Sequence, residues 1–241
     1  MNPGILHCVG MGPGDPELLT LKAIRVLAAT PAVAYFAKRG GCAHARGIAD
    51  AHADAAEQLR VEYPFTTEVR HDDPAYRHAM QAFYAASAAI IAARLAAGMD
   101  VALLCEGDPF LYGSAMHLFD RLSGRFRIEV TPGITGMSGC WAQAGMPMTH
   151  GDDILTVLPG TLDQAELAAR LAGSDAAVIM KVGRNLAKIR AALDQAGVTD
   201  RAVYVECGTM PDTRMLPMAD MTDACAPYFS LVLVAGRQGT R

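Results

Sequence analysis

Three glycine-bearing loops, each standing at the end of an apolar run, constrain this chain more than any other feature. They are Gly10-Met11-Gly12-Pro13-Gly14-Asp15, the segment 106–113 that begins Glu106-Gly107-Asp108-Pro109, and Pro132-Gly133-Ile134-Thr135-Gly136. The runs that end in them, 5–9, 100–105 and 127–131, read as buried strands. Asp15-Pro16-Glu17 opens a helix: Asp15 is a natural N-cap, Pro16 suits the first turn, and Glu17 favours the positive end. Leu19, Ala23, Val26 and Leu27 give that helix its apolar face. Thr30-Pro31 ends it, and 32–37 is the next strand. Further helical patterns cover 75–97, closed by Gly98, and 112–122. Alternation of strand, loop and helix predicts a parallel sheet with helices on its faces. Ligands bind such sheets at the carboxyl ends of the strands. Any one of the loops alone is most simply a tight turn. Three of them can line one crevice, where glycine lets backbone approach a ligand closely.

The second half reads differently. Strands near 154–158, 176–182 and 202–207 alternate with helices near 163–171 and 185–196. A closing apolar run, 228–234, has no helix after it, and Met215-Leu216-Pro217 looks like a short edge strand. That order predicts a mixed sheet. The expected fold class is therefore α/β with two domains, 1–138 and 139–241, the boundary falling near Ser138.

Composition limits the partners. With 241 residues, 51% of them hydrophobic, the chain can bury a sizeable core. A net charge of −4 with 19% charged residues lacks the strong basic field that a nucleic-acid binder needs. The N-terminus does not read as a signal peptide. The alanine-rich stretch 79–97 is interrupted by Gln81 and Arg94, so no stretch reads as the roughly 20 strongly apolar residues of a membrane span. These features predict a cytoplasmic protein that binds neither nucleic acid nor membrane. The six cysteines, 8, 42, 105, 140, 207 and 225, have no C-x-x-C spacing. They read as free structural thiols, with Cys8, Cys105 and Cys207 in strands, and no metal site is signalled.

The first loop narrows the ligand. A dinucleotide fingerprint needs glycine at its sixth position, where this chain has Asp15. A carboxylate there occupies the helix end a phosphate would take, and Pro13 removes a backbone donor. No Gly-Lys-Ser/Thr follows, and the second strand ends in Tyr35-Phe36-Ala37 with no acidic residue for a ribose. A nucleoside without phosphates that carries a positive centre suits these loops better, and S-adenosylmethionine (SAM) is such a ligand.

The same residues carry a resemblance. Val9 to Asp15, Glu106-Gly107-Asp108-Pro109 with Tyr112-Gly113, and Pro132-Gly133-Ile134-Thr135 resemble, in order and spacing, the motifs of the tetrapyrrole methylase family. The resemblance extends to Leu231-Val232-Leu233. The stretches 104–114, 154–159, 179–184 and 227–230 resemble a branch that methylates a bridge carbon of a reduced tetrapyrrole. The branch acting on uroporphyrinogen III carries an aspartate where this chain has Phe36. The resemblance implies a two-domain homodimer with SAM in the cleft between domains. Pro13 would line the cofactor, Gly107 and Asp108 would hold its methionine part with Glu106 and Leu111 nearby, and Thr135 and Gly136 would add contacts. Val182 and Gly208 match positions where backbone meets adenosine, with Met180 and Thr209 as further candidates.

Methyl transfer to carbon needs donor and acceptor held in line and a group to take the proton lost. No base can be named from the residues. Glu106 is a candidate, and a strand-end carboxylate accepting backbone hydrogen bonds is the equal alternative. A tetrapyrrole carries many carboxylates, so its pocket should hold cations. Lys38, Arg39 and Arg184 are the favoured residues, ahead of Arg46 and Lys181. His117 stands alone on its helix and reads as structural. Tyr35, Phe36, Phe110 and Tyr112 could flank a flat ligand or pack in the core. The competing readings are another member of the same family acting at a different ring position or on a cobalt-loaded substrate, a nucleotide-binding oxidoreductase, and a non-catalytic binding module.

Overall fold

The computed structural model describes residues 2–53, 56–65 and 73–236. The chain divides into two compact units, Met1–Gly136 and Met137–Arg241.

The first unit contains, in chain order, β1 (Leu6–Gly10), α1 (Leu21–Ala29), β2 (Ala32–Lys38), α2 (His44–Ile48), α3 (Asp50–Ala53), β3 (Glu57–Tyr63), α4 (Pro74–Ala96), β4 (Val101–Cys105), α5 (Ala115–Leu122) and β5 (Ile128–Thr131). Its strands form one parallel sheet in the order β3-β2-β4-β1-β5. The inner strands are apolar without alternation because both faces are covered. Successive residues of β4 serve opposite cores: Leu103 and Cys105 pack with Tyr84, Ile91 and Leu118 of α4 and α5, while Ala102 and Leu104 pack with Leu27 and Ile48 of α1 and α2.

Two local expectations change. The helix expected to open at Asp15 is two elements. Asp15 caps a single 3-10 turn, Pro16–Leu18, by accepting the Glu17 N–H at 2.8 Å. Leu19 is then extended and buried, and α1 starts only at Leu21, capped by Thr20 Oγ1 on the Ala23 N–H at 3.1 Å. A second good cap beside a leucine that reaches the core outweighs one continuous helix. The other change concerns β3, which sequence reading left unassigned. It is an edge strand whose Leu59 and Val61 point inward between exposed Gln58, Arg60 and Glu62, and it pairs parallel with β2.

The long helix also departs from expectation. By length and composition α4 is apolar enough to cross a membrane, with a window of mean hydropathy 1.3. Alanine supplies that apolarity. Met80, Tyr84, Ile91 and Leu95 are buried in the core of the first unit, as a helix covering a sheet requires.

The second unit contains α6 (Gly136–Gln143), β6 (Leu155–Pro159), α7 (Gln164–Ala172), β7 (Ala176–Met180), α8 (Leu186–Ala196), β8 (Ala202–Glu206), β9 (Arg214–Pro217) and β10 (Ser230–Val234). The sheet order is β6-β7-β10-β8-β9. β6 and β7 are parallel, β10 runs antiparallel to β7 and β8, and β9 is an antiparallel edge. This is the mixed sheet that the helix-free ending predicts. Leu167, Leu171, Ile189 and Leu193 of α7 and α8 cover one face, while Cys140 of α6 and Met148 lie on the other.

Candidate functional site

The three loops follow β4, β1 and β5, which are neighbours in the first sheet and run parallel, so their carboxyl ends share one edge. The loops are tied directly to one another. Met11 donates to the Cys105 carbonyl at 2.8 Å. Gly12 and Gly107 exchange hydrogen bonds, Gly107 N–H to Gly12 O at 2.7 Å and Gly12 N–H to Gly107 O at 3.3 Å. Gly12 and Gly107 take φ of 74° and 64°, a region that favours glycine. Gly10, Gly107 and Gly133 stack backbone on backbone. A Cβ on Gly133 would run into the Gly107 carbonyl and lie 2.9 Å from the backbone of Gly10.

Asp108 completes the assembly. Its Oδ1 accepts the Phe110 N–H at 2.9 Å within its own loop, and its Oδ2 accepts the Gly133 N–H at 3.1 Å in the loop after β5. Each carboxylate oxygen keeps a further lone pair for a ligand. Thr135 and Gly136 lie against Gly107, 3.8 and 3.4 Å from where its Cβ would be. Pro13 is buried and Leu111 half-buried beside the same loops.

The physical case against phosphate changes here. Asp15 caps only a 3-10 turn, so no helix dipole is being competed for. The N–H groups of Met11 and Gly12 are spent on Cys105 and Gly107, and Pro13 has none. A phosphate would find the first two donors of the loop used, the third position without one, and a carboxylate at Asp15.

Glu106, the first residue after β4, faces the start of α2, where His44 and the backbone of Ala45 lie near its carboxyl. Its side chain is exposed to solvent. Desolvation raises its pKa above the ordinary carboxylate value, opposed by His44 and the Ala45 N–H. Such a carboxyl is a stronger base than a solvated one.

Lys38 and Arg39 leave the carboxyl end of β2, the strand beside β4, and both are exposed. Their turn is held by the Gly41 N–H on Lys38 O at 2.9 Å and by the Arg60 guanidinium on Lys38 O and Gly41 O at 3.2 and 2.7 Å. Arg46 is engaged elsewhere, with Gln58 and Asp50. The four aromatics separate. Tyr35 is buried, and Phe36 stacks on Tyr63 at 5.3 Å, whereas Phe110 and Tyr112 are 47% and 42% exposed on the loop after β4.

In the second unit β7 and β8 flank β10 and end on one edge. Val182, buried, and Arg184, exposed, follow β7, and Gly208 follows β8. A Cβ on Gly208 would strike Cys140 Sγ. Burial pushes that thiol up to about 12. Cys207, expected within a strand, stands just past β8 at φ 49°, because Glu206 is the last residue paired.

Among the described residues four non-glycines have left-handed backbone: Tyr112, Lys181, Cys207 and Thr209. All follow the carboxyl ends of β4, β7 or β8. Each such residue costs roughly 1 kcal/mol or more, and such strain gathers where ligands bind. The Thr209 Oγ1 is also buried without a hydrogen-bond partner among the described residues, the kind of atom a ligand satisfies. The strain at these positions was not readable from residue types.

Comparison with known proteins adds what geometry alone does not. The family described as Tetrapyrrole (Corrin/Porphyrin) Methylases matches residues 6–220. A precorrin-2 C(20)-methyltransferase from a Sinorhizobium species is 56% identical over 97% of this chain and 96% of its own length. A cobalt-precorrin-2 C(20)-methyltransferase of Salmonella typhimurium is 28% identical, with 96% of each chain covered. Among solved structures, the uroporphyrin III C-methyl transferase of Thermus thermophilus superposes with a TM-score of 0.68 at 25% identity, over 96% of this chain and 97% of that one.

Proposed function

The chain belongs to the tetrapyrrole (corrin/porphyrin) methylases, and from that premise we propose that it transfers a methyl group from SAM to carbon 20 of precorrin-2, giving precorrin-3A on the way to cobalamin. The observation that carries this reading is the 56% identity, end to end, with the Sinorhizobium enzyme of that activity. The lower identity to the cobalt-precorrin relative favours the metal-free acceptor. A nucleotide-binding oxidoreductase is set aside by family, and the first loop agrees: Met11 and Gly12 spend their donors within the protein, Pro13 has none, and Asp15 adds a carboxylate.

The residues fit the cofactor. Backbone at Gly10 and Gly133 leaves no room for a Cβ and Gly107 holds a φ of 64°, so the three loops meet as bare main chain at this edge. When bound, SAM supplies a sulfonium methyl: the carbon–sulfur bond breaks with its electron pair going to sulfur as the bridge carbon forms the new bond. The chain's part is to align and to exclude water. Pro13, Glu106, Gly107, Asp108, Leu111, Thr135 and Gly136 are the proposed donor contacts of the first unit. Val182 and Gly208, with the orphan hydroxyl of Thr209, are those of the second. Lys38, Arg39 and Arg184 are proposed partners for acceptor carboxylates. Glu106 is the carboxylate this edge offers to take the bridge-carbon proton.

Incubation with SAM and precorrin-2 is expected to give a product one methyl heavier, with the new carbon at the bridge position by NMR. A methyl on a pyrrole ring carbon, or none, would sink the assignment. We also propose a homodimer. Support comes from α4, whose solvent side presents Ala82, Ala85, Ala86, Ala89, Ile90 and Ala93 with no charge among them. A sedimentation mass of one chain overturns that reading. The free state of all six cysteines suits a reducing cytoplasm.

A further inference from the structure

Ser114 precedes α5 at the N-cap position, where a serine hydroxyl ordinarily turns back to cap the helix. It makes no capping bond. Its Oγ instead receives two phenols, Tyr63 donating at 2.6 Å and Tyr84 at 3.1 Å. Tyr63 is the last residue of β3 and Tyr84 lies within α4, so three elements remote in sequence bring three hydroxyls to one point.

Packing does not require those hydroxyls. The Tyr63 ring stacks on Phe36 at 5.3 Å and meets Phe83 at 5.0 Å, while the Tyr84 ring packs on Phe83 at 5.1 Å and on His117 at 4.3 Å. Phenylalanine would fill the same space without desolvating a phenol. What the two hydroxyls add is their hold on Ser114.

That hold fixes what Ser114 can do. A serine oxygen has two lone pairs and one hydrogen. Two incoming phenol donors take the lone pairs, which leaves a group that can only donate. Donors feeding into it polarise its own O–H. Ser114 is half-buried, next to Gly113 and two residues past Tyr112, whose left-handed φ of 54° sets the turn. The Arg121 guanidinium, from the last turn of α5, reaches back to the His117 carbonyl and lies 5.7 Å over the Tyr84 ring, which places a positive charge against one of the two phenols. A donor-only hydroxyl in such a setting suits an anionic oxygen.

We propose that Ser114 binds the acceptor: its O–H donates to a carboxylate side chain of the tetrapyrrole, and Tyr63 and Tyr84 are positioning residues that orient it. This rests on the reading that the acceptor is a polycarboxylated tetrapyrrole, and it deepens that reading by assigning one residue to an acceptor carboxylate.

The test is Ser114→Ala alongside Ser114→Thr and the double variant Tyr63→Phe/Tyr84→Phe. Each is measured for precorrin-2 KM and kcat, for affinity toward S-adenosylhomocysteine, and for Tm. Ser114→Ala is expected to raise the KM for precorrin-2 about tenfold to a hundredfold, the range of one charge-assisted hydrogen bond, with S-adenosylhomocysteine affinity unchanged. The double variant keeps the serine but loses its orientation, and its KM should rise less. Ser114→Thr keeps the hydroxyl and should restore KM. An unchanged KM in a folded Ser114→Ala protein overturns the proposal, and so does a parallel loss of affinity for both ligands. Should the wild-type chain not methylate precorrin-2, the functional reading fails by itself. Absorbance titration with uroporphyrin III then decides the present point: weaker binding by Ser114→Ala supports it, and equal binding overturns it.

Discussion

Gly133→Ala is expected to lower stability by on the order of 3 kcal/mol and to abolish methyl transfer. The added methyl has nowhere to go. It would overlap the Gly107 carbonyl and press on the backbone of Gly10, so relief requires moving two main chains rather than a flexible side chain. Those main chains carry the Gly12–Gly107 bridge and the Gly133 N–H that Asp108 accepts. One methyl group thus disturbs all three loops together. Denaturant titration and a transfer assay check this directly. A variant with wild-type midpoint and turnover would mean that the loops separate freely and that their close stacking has no part in function.

Asp108→Ala is expected to weaken SAM binding at least about tenfold and to reduce stability by about 2 kcal/mol. Loop chemistry alone predicts a binding defect with the fold intact. The hydrogen bonds to Phe110 and Gly133 add a structural cost, because removing the carboxylate strands two backbone donors. Asp108→Asn separates the two roles. Its carbonyl can still accept one N–H, while its amide nitrogen opposes the other, so stability should fall less than in alanine while loss of charge still weakens an ammonium contact. Calorimetric titration with SAM and thermal unfolding report the two effects separately. Unchanged SAM affinity in the asparagine variant would remove Asp108 from the cofactor contacts.

Much of this was legible in residue order. Buried parallel strands declare themselves by unbroken apolar runs, so β1, β2 and β4 and the glycine loops after them could be placed from sequence. The mixed second sheet followed from a closing strand with no helix after it. Capping chemistry was misjudged at Asp15, where Thr20 offers an equally good cap five residues on and Leu19 gains more by burial than by helical continuity. β3 carried a signal in the alternation of Leu59, Val61 and Tyr63, faint because an edge strand keeps one side charged. The Tyr63–Ser114–Tyr84 cluster was beyond reach, since it joins residues whose proximity depends on β3 being found and paired. The left-handed residues Lys181, Cys207 and Thr209 were equally hidden, because nothing in their side chains favours that conformation and only the surrounding fold imposes it.

The strand order has a consequence for how the chain is made. β1 is made well before its two neighbours, β4 and β5, so Leu6 waits for both Val101 and Ile128 before its backbone is fully paired. Pairing between such distant segments is entropically slow. The three-loop edge therefore cannot be built in instalments: until β5 is synthesised, the first two glycine loops lack the Gly133 backbone that packs on Gly10 and Gly107 and donates to Asp108. The three-loop edge of the first unit therefore assembles as a single event once the middle of the chain has been made.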